Sequence, residues 1–404
     1  MTAKNTIDAF EWLRKQLEQA PDPLREALSD IVIRVMNAEV DGLCGAGYRE
    51  RSDERTNSRN GLRLRPWDTR VGTIDLPIPK LRQGSYFPAW LLEARRRAER
   101  ALVAVVVEAY VQGVSTRRVE DLVQSLGIER MSKSQVSELC KELDGVVRDF
   151  RERPLGGKYR YVWLDALVFK CREGGRVANV AGLVAVGVNE EGHREILGLD
   201  VVTGEDGAGW LAFLRSLKAR GLKGVELVIS DAHAGLKDAI ASVLRGATWQ
   251  RCRTHFMRNL LTRVPKAAQG LVATLVRSIF AQPDVESVRA QHGRIVEQLA
   301  VRFPQAAEML AESADDLLAF LAFPKEHWRQ VWSNNPQERL NREIRRRSDV
   351  VGIFPNRQAL IRLVGAVLCE IDDDWAVVRR YMTPEKECQE VLEAKPKKAL
   401  KPAA

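Results

Sequence analysis

The spacing of apolar positions changes character several times along the chain, and between residues 161 and 252 it is that of a sheet with covering helices. Residues 161–168 form an apolar run, Tyr-Val-Trp-Leu-Asp-Ala-Leu-Val, with one carboxylate, Asp165, in its middle. Residues 177–188 and 195–202 are rich in β-branched side chains and are joined by Asn189-Glu190-Glu191-Gly192, which predicts two strands and a hairpin. Residues 207–220 place Trp210, Phe213, Leu214 and Leu217 at helical spacing. A second apolar run, 225–229, leads into Ser230-Asp231-Ala232-His233. A helix over 235–244 and a strand over 248–252 complete the order strand, strand, strand, helix, strand, helix, strand.

The flanking regions read differently. Phe10, Leu13, Leu17, Leu24, Leu28, Ile31, Val32 and Val35 predict an amphipathic helix over 7–40, broken by Pro21 and Pro23. It serves packing or dimerisation, with packing favoured. Residues 47–87 turn to Gly, Arg, Asn and Thr with short alternating strands, as in Gly72-Thr73-Ile74-Asp75-Leu76-Pro77-Ile78-Pro79. A helix opens at 95–100 and runs to Tyr110. Residues 113–123, a break at Leu126-Gly127 and residues 132–140 then read as helix, turn and second helix. Ser132 can cap that second helix, and Lys133, Ser134, Gln135 and Ser137 are placed to face outward, as major-groove reading requires. Any capped helical hairpin looks similar, and Glu120, Asp121 and Glu138 count against DNA. Gly156-Gly157 reads as a linker, and 267–280 and 285–301 as helices of an inserted subdomain. Asn334 or Asn335 before Pro336 starts a helix that carries Glu338. The expected divisions are 1–46, helical; 47–92, basic and β-rich; 93–155, helix-turn-helix-like; 156–261, the core with both aspartates; 262–331, the helical insertion; 332–384, the rest of the core; and 385–404, a disordered tail.

Composition narrows the partners. The 404 residues suffice for two or three domains, 45% are hydrophobic, and the net charge is +9. With a pI near 9.3, a polyanionic partner is expected. The basic β region holds Arg49, Arg51, Arg55, Arg59, Arg63, Arg65, Arg70, Lys80 and Arg82 against Glu50, Asp53, Glu54, Asp68 and Asp75, nine minus five, or four positives in excess. Such a unit suits phosphate contact or is simply a solvated face. Arg59, Arg63, Arg65, Lys80, Arg82, Lys133 and Gln135 are the candidate DNA-binding residues. No apolar run reaches the roughly 18 residues of a membrane span. Met1 is followed by polar residues, so no signal peptide is expected. Six cysteines (Cys44, Cys140, Cys171, Cys252, Cys369 and Cys388) show no paired framework, which fits a reducing cytoplasm.

The strand order of the central region is the ribonuclease-H order, in which the first three strands form an antiparallel meander and the fourth lies beside the first. It brings Asp165 and Asp231 together. A carboxylate in an apolar strand is costly unless paired or metal-bound, and two converging carboxylates repel until a divalent cation relieves them. Taken singly, each has an ordinary reading: Asp165 alternates out to solvent and Asp231 caps the next helix. Taken together, in this strand order, they point to metal. Glu338, delivered from the far side of the sheet, would complete such a site, although a first-turn glutamate is also favoured by the helix dipole alone.

Longer motifs carry a resemblance: Trp210-Leu211-Ala212-Phe213-Leu214; Leu227-Val228-Ile229-Ser230-Asp231-Ala232-His233-Ala234-Gly235-Leu236; Trp249-Gln250-Arg251-Cys252-Arg253-Thr254-His255-Phe256; Glu338-Arg339-Leu340-Asn341-Arg342-Glu343-Ile344-Arg345-Arg346-Arg347; and, in the basic region, Ile78-Pro79-Lys80-Leu81-Arg82. Over nearly its whole length the chain resembles the mutator-type transposases of bacterial insertion sequences. The resemblance implies an α/β fold with a ribonuclease-H-like, integrase-type catalytic core, a helical insertion, and helical and small β DNA-binding regions before it. It implies a DDE triad of Asp165, Asp231 and Glu338, with Glu343 as fallback. The spacing of 338 minus 231, or 107 residues, agrees with the insertion. It further implies two Mg2+ ions roughly 3.5–4 Å apart, replaceable by Mn2+, bound by the triad and driving strand cleavage and strand transfer at terminal inverted repeats and target DNA. A homodimer or larger assembly on DNA, nucleoid-associated in the cytoplasm and without a membrane, is the implied setting. The family's Cys-x-x-His motif is Cys252 and His255. Two ligands make no structural zinc site, so Cys252 is read as core packing and His255 as a cap, a hydrogen-bonding neighbour of the site or a DNA contact. His233, Arg339, Arg345 and Arg346 are placed beside the carboxylates or on DNA phosphates, with the arginines otherwise in i,i+4 pairs and His233 otherwise only a helix-start residue. One departure is Gly204-Glu205-Asp206 where many members carry Gly-Glu-Ser. The competing readings are an inactive, transposase-derived DNA-binding regulator and a structure-selective nuclease of the same fold.

Overall fold

The computed structural model describes residues 21–92, 98–126, 128, 131–378 and 380–384. The expected helix before residue 21, the helix opening at 95, the break at Gly127 and the expected disordered tail lie outside the described residues, as does the side chain of Lys133. Two compact units, 1–142 and 143–404, are taken in turn.

In the first unit the Asp22 carboxylate accepts from the Arg25 N–H at 3.2 Å and starts α1 (Pro23–Cys44), which Gly45 closes at φ 70°. Val32, Met36, Val40 and Cys44 recur every fourth residue as one buried stripe. The stripe packs on the antiparallel hairpin of β1 (Arg59–Thr69) and β2 (Gly72–Leu81), where Ile74, Leu76 and Ile78 alternate inward. The regions expected at 1–46 and 47–92 therefore share one core. Beyond them, α2 (Arg100–Val111), α3 (Thr116–Ser125) and α4 (Lys133–Leu139) pack through Leu102, Val106, Val119, Val123 and Val136.

The second unit is mixed α/β. After α5 (Leu143–Glu152) come β3 (Tyr161–Glu173), β4 (Arg176–Val188), β5 (Arg194–Val202), α6 (Gly207–Ala219), β6 (Leu227–Ser230), α7 (Ala234–Val243) and β7 (Thr248–Arg251). The sheet order is β5-β4-β3-β6-β7, with β3 to β5 an antiparallel meander and β6 parallel to both β3 and β7. This is the strand order expected from the apolar runs. Trp210, Phe213, Leu214 and Leu217 of α6 and Leu236, Ile240 and Val243 of α7 cover one face, against Val162, Leu164, Leu183, Ala185 and Val228. The two helices touch at their first turns, where a side chain on Gly235 would lie 2.7 Å from the Gly207 backbone.

Between β7 and the remaining core lie α8 (Arg253–Leu261), α9 (Lys266–Phe280), α10 (Val285–Arg302), α11 (Pro304–Glu312), α12 (Ala314–Leu317) and α13 (Trp328–Val331). The insertion expected from the sequence begins at 262, with helices over 267–280 and 285–301; the helices after β7 begin at Arg253. An aromatic cluster joins the insertion to the segment that re-enters the core: Phe280 stacks on Phe320 at 5.9 Å, and Trp332 meets their edges at 5.5 and 5.8 Å. The chain then forms α14 (Asn335–Ser348) and α15 (Arg357–Val377). The expected boundary at Gly156-Gly157 needs correction, because α5 belongs to the second unit. Asp144 accepts from the Arg362 guanidinium at 2.7 and 2.8 Å, Arg153 donates to Asp372 at 2.6 Å, and Arg151 donates to the Leu199 carbonyl at 2.9 Å. These bonds fasten α5 and the segment after it to α15 and β5.

Candidate active site

The parallel pairing of β3 and β6 sets the two aspartates. Tyr161, Val162 and Trp163 lie opposite Leu227, Val228 and Ile229, an offset of 66 residues, and 165 plus 66 is 231. Continued two positions past the last pair, this register runs Asp165, in the first half of β3, alongside Asp231, the residue that follows the end of β6. Neither follows its ordinary reading. Asp165 lies on the same face of β3 as Trp163, which is covered by the chain entering α14. Asp231 does not cap α7: its Oδ1 accepts from the Ala232 N–H at 2.7 Å, and the cap position is His233, which makes no capping bond.

The helix α14 is fixed across that face by polar groups. The Trp163 indole donates to the Ser333 carbonyl at 3.1 Å, the Asn334 amide to the Leu164 carbonyl at 3.3 Å, the Gln337 amide to the Val184 carbonyl at 2.7 Å, and the Asn341 amide to Asp165 Oδ2 at 2.7 Å. Behind it, the Asn334 N–H donates to Cys252 Sγ at 3.2 Å and the Arg253 N–H to the Trp332 carbonyl at 3.0 Å. Asn334, Gln337, Glu338 and Asn341 are spaced three, four and seven residues from the first, so they share one helix face. Glu338 therefore lies one turn from the Asn341 that touches Asp165. The sequence reading missed Gln337 and Asn341. The signal was there: a polar stripe at helical spacing which, in an otherwise charged helix, looks like a solvated surface.

Electrostatics separate the groups. Burial pushes the Asp165 carboxyl up to about 6, and the Glu205 charge adds to this, while His255, the Ala166 N–H at 3.0 Å and Asn341 oppose it. His255 is raised to about 9 by its interaction with the Cys252 sulfur first, then by the Asp231 and Asp165 charges, against desolvation. One imidazolium thus answers to both aspartates. Glu338 Oε1 and Asn341 Oδ1 are buried acceptors without a donor. Hard, under-protonated oxygens of this kind fit a divalent cation, although among the described residues no three His, Cys, Asp or Glu groups stand ready to hold one. The fallback, Glu343, is committed elsewhere. It accepts from Arg346 at 2.6 and 2.9 Å and from Arg347 at 2.7 Å, and these partners, Arg346 foremost, hold its carboxyl near about 2.

Comparison with known proteins covers most of the chain. The model of the Mutator family of transposases matches residues 1–378. The chain belongs to the Mutator family. It is 60% identical over 384 residues, 95% of its length and 92% of the relative's, to the transposase for insertion sequence element IS1081 of Mycobacterium tuberculosis (strain ATCC 25618 / H37Rv). It is 40% identical to the transposase for insertion sequence element ISRM5 of Rhizobium meliloti (strain 1021), covering 90% of this chain and 91% of the relative. It is 36% identical to the transposase for insertion sequence element IS256 in transposon Tn4001 of Staphylococcus aureus, covering 90% and 94%. Within this Mutator-family chain the departure at Asp206 is chemically mild. Its carboxylate accepts from the Gly209 N–H at 2.7 Å and caps α6, which a serine hydroxyl also does.

The remaining candidates divide. Cys252 is fully buried at the start of α8, as a packing residue would be, and also accepts the Asn334 bond. His233 and His255 each keep a buried Nδ1 without a partner, and Arg339, Arg345 and Arg346 are exposed on α14. In the first unit of this Mutator-family member, Arg63, Lys80 and Arg82 are exposed along the hairpin, and Arg65 lies over the Phe87 ring. Arg59 is already used, donating to Asn37 Oδ1 and Asp41 at 2.6 Å each, and so ties β1 to α1. Gln135 is also partly used: its Oε1 accepts from the Ser132 N–H at 2.8 Å in a capping box, which leaves only its amide nitrogen for a base edge. No described helix is long and apolar enough to cross a membrane.

Proposed function

We propose that this Mutator-family chain is a DNA transposase whose second unit is a ribonuclease-H-like, integrase-type core with Asp165, Asp231 and Glu338 as its DDE triad. The observation that supports the reading is the β3–β6 offset of 66, which continued past Trp163 and Ile229 runs Asp231 alongside Asp165, together with the bond from Asn341, one turn from Glu338, to Asp165. The three carboxylates would hold two Mg2+ or Mn2+ ions, which when bound polarise the scissile phosphate and activate water or a DNA 3′-hydroxyl.

The chain's own groups have definite tasks in that reading. Asp165 must lose its proton before it holds a cation, and its buried position makes that loss favourable only above about pH 6. Asn341 keeps one Asp165 oxygen engaged and so fixes the direction of the other. The His255 imidazolium balances the two aspartates while they stand without a metal. Arg339 and Arg345 supply exposed positive charge on α14 for the strand backbone, while Arg346 must first exchange Glu343 for a phosphate. The hairpin cations Arg63, Arg65, Lys80 and Arg82 and the capped α4 are assigned to the terminal inverted repeats, with target DNA at the carboxylates and a dimer or larger assembly joining two ends. A strand-transfer assay with Mg2+, end DNA and Asp231→Ala tests this. Wild type nicks and joins, while the variant binds but does neither, with a loss on the order of 10^4-fold. If wild type binds the ends and never cuts in Mg2+ or Mn2+, the chain is a DNA-binding regulator instead.

A further inference from the structure

Between α8, α9, α13 and Trp332 lies a pocket of about 400 Å3 that none of the three carboxylates lines. Arg253, Arg277, Lys325 and Arg329 line it, and no Asp or Glu does among its described lining residues. Asp284, just outside the lining, interacts with Lys325. Arg253 lies over the rings of Trp332, at 4.6 Å, and Phe280, at 5.0 Å, and Trp328 forms a further wall. Burial lowers the Arg253 pKa, the Cys252 sulfur opposes this, and the neighbouring Arg277 lowers it further. Flat aromatic and guanidinium surface ringed by an excess of positive charge is what a base and its phosphate require. An unpaired base stacks on rings and guanidinium planes whatever its identity, while a base inside a duplex has no free face. The pocket volume falls within the range of small-ligand sites, so it admits one nucleotide and excludes a helix.

We propose that this pocket takes a single unpaired nucleotide of a DNA strand, its base extending the stack of Arg253 on Trp332 and Phe280 and its phosphate among Arg277, Lys325 and Arg329. Its position is set by the backbone. Arg253 and Trp332 are hydrogen-bonded to each other, and each is next in sequence to a group that fixes α14, Cys252 and Ser333. The pocket thus sits where α8 meets the segment that enters α14, on the same chain that carries Glu338. The proposal rests on DNA being the substrate, but not on cleavage.

The test is therefore run on the full chain in EDTA. A labelled oligothymidylate carrying one 2-aminopurine is compared with a fully paired duplex, for wild type, the triple variant R253Q/R277Q/R329Q and the double variant R277Q/R329Q. The two exposed arginines of the double variant leave the aromatic cluster intact and guard against misfolding. In the triple variant the strand affinity is expected to fall about 10–100-fold, the salt slope to drop by about 2, and the quenching of 2-aminopurine by stacking to disappear. The double variant loses about 1.4 of slope and keeps part of the quenching. Duplex affinity stays within about threefold, since a paired base has no face to stack. Equal losses on strand and duplex with quenching retained would make this a general phosphate surface and overturn the proposal, as would no loss at all. Thymidine 5′-monophosphate displacing the strand at strand-like affinity would make it a mononucleotide site and overturn it too. An Asp231→Ala chain that binds the strand normally but cannot cut, alongside a triple variant without effect, would sink the pocket and leave the transposase reading standing. The reverse pair of results would do the opposite.

Discussion

The two faces of the five-stranded sheet are built on different principles. Towards α6 and α7, β3 presents Val162 and Leu164, which meet Trp210, Phe213, Leu214 and Leu217 in hydrocarbon packing. Towards α14, the same strand presents Tyr161, Trp163 and Asp165, and each is met by a polar group: His327 Nδ1 at 2.9 Å, the Ser333 carbonyl at 3.1 Å and the Asn341 amide at 2.7 Å. Hydrocarbon burial is non-directional and scales with area, so the first face supplies stability and tolerates small shifts. Hydrogen bonds are worth little net but fix direction, and buried ones are costly to leave unmade. The second face thus gives position, at the cost of orphaned acceptors on Asn334, Gln337, Glu338 and Asn341.

This separation predicts different losses on the two sides. Phe213→Ala, on the hydrocarbon face, is expected to destabilise the second unit by about 3–5 kcal/mol in urea titration, with cleavage per folded molecule unchanged. If cleavage fell in a variant that remains folded, the two faces would be coupled and the contrast would fail. Asn341→Ala is the matching change on the polar face. It removes the donor to Asp165 and should weaken divalent-ion binding and cleavage by about 10–100-fold, while costing only about 1–3 kcal/mol of stability. Calorimetric Mn2+ titration checks the first half, and an unchanged affinity would show that Asn341 merely fastens α14.

The pH dependence sharpens the same point. Asp165 in the folded chain holds its proton up to about 6, against its usual 3.8, so the fold binds more protons than the unfolded chain between those values. Metal-free stability therefore falls as pH rises through that window, while divalent affinity rises. Below about pH 6 the apparent affinity should drop roughly tenfold per unit if one proton is displaced. A flat profile from pH 5 to about 7 would mean that Asp165 is not a ligand.

How much of this could be read in advance also depends on the face. The hydrocarbon face writes itself as periodicity: the runs at 177–188, 195–202 and 207–220 anticipated β4, β5 and α6 to within a residue, and 161–168 the start of β3. Strand β3 ran further, to Glu173, because Lys170 and Arg172 alternate outward from buried Phe169 and Cys171, and that half looks polar in sequence. The polar face leaves little trace. Asn334, Gln337 and Asn341 are ordinary residues of exposed helices, and only a partner on another strand makes them structural. For the same reason the pairing of Arg59 with Asp41, and of Arg153 with Asp372 over more than two hundred positions, was invisible, and Gly156-Gly157 passed for a boundary.

The smallest effect tests the choice between two glutamates on one helix. Glu343 comes five residues after Glu338, about 140° round the helix, and so points to another side. Its carboxylate is held by Arg346 and Arg347, and Arg347 also keeps Glu370 at 2.5 and 2.9 Å. Since the Arg346 side chain is 56% exposed, screening limits what Glu343→Gln can cost to about 1 kcal/mol or less. The carboxyl is depressed to about 2 from 4.5, so this stabilisation is present above about pH 4.5 and lost as the pH falls through about 2. Wild type and Glu343→Gln should therefore differ slightly in melting temperature at pH 7 and coincide near pH 2, with cleavage in Mg2+ alike. Glu338→Gln, by contrast, removes charge from an oxygen that no donor satisfies, so its fold should hold while cleavage disappears. Should Glu343→Gln abolish cleavage and Glu338→Gln spare it, the third carboxylate passes to Glu343, and Arg346 and Arg347 must release it before any ion can bind.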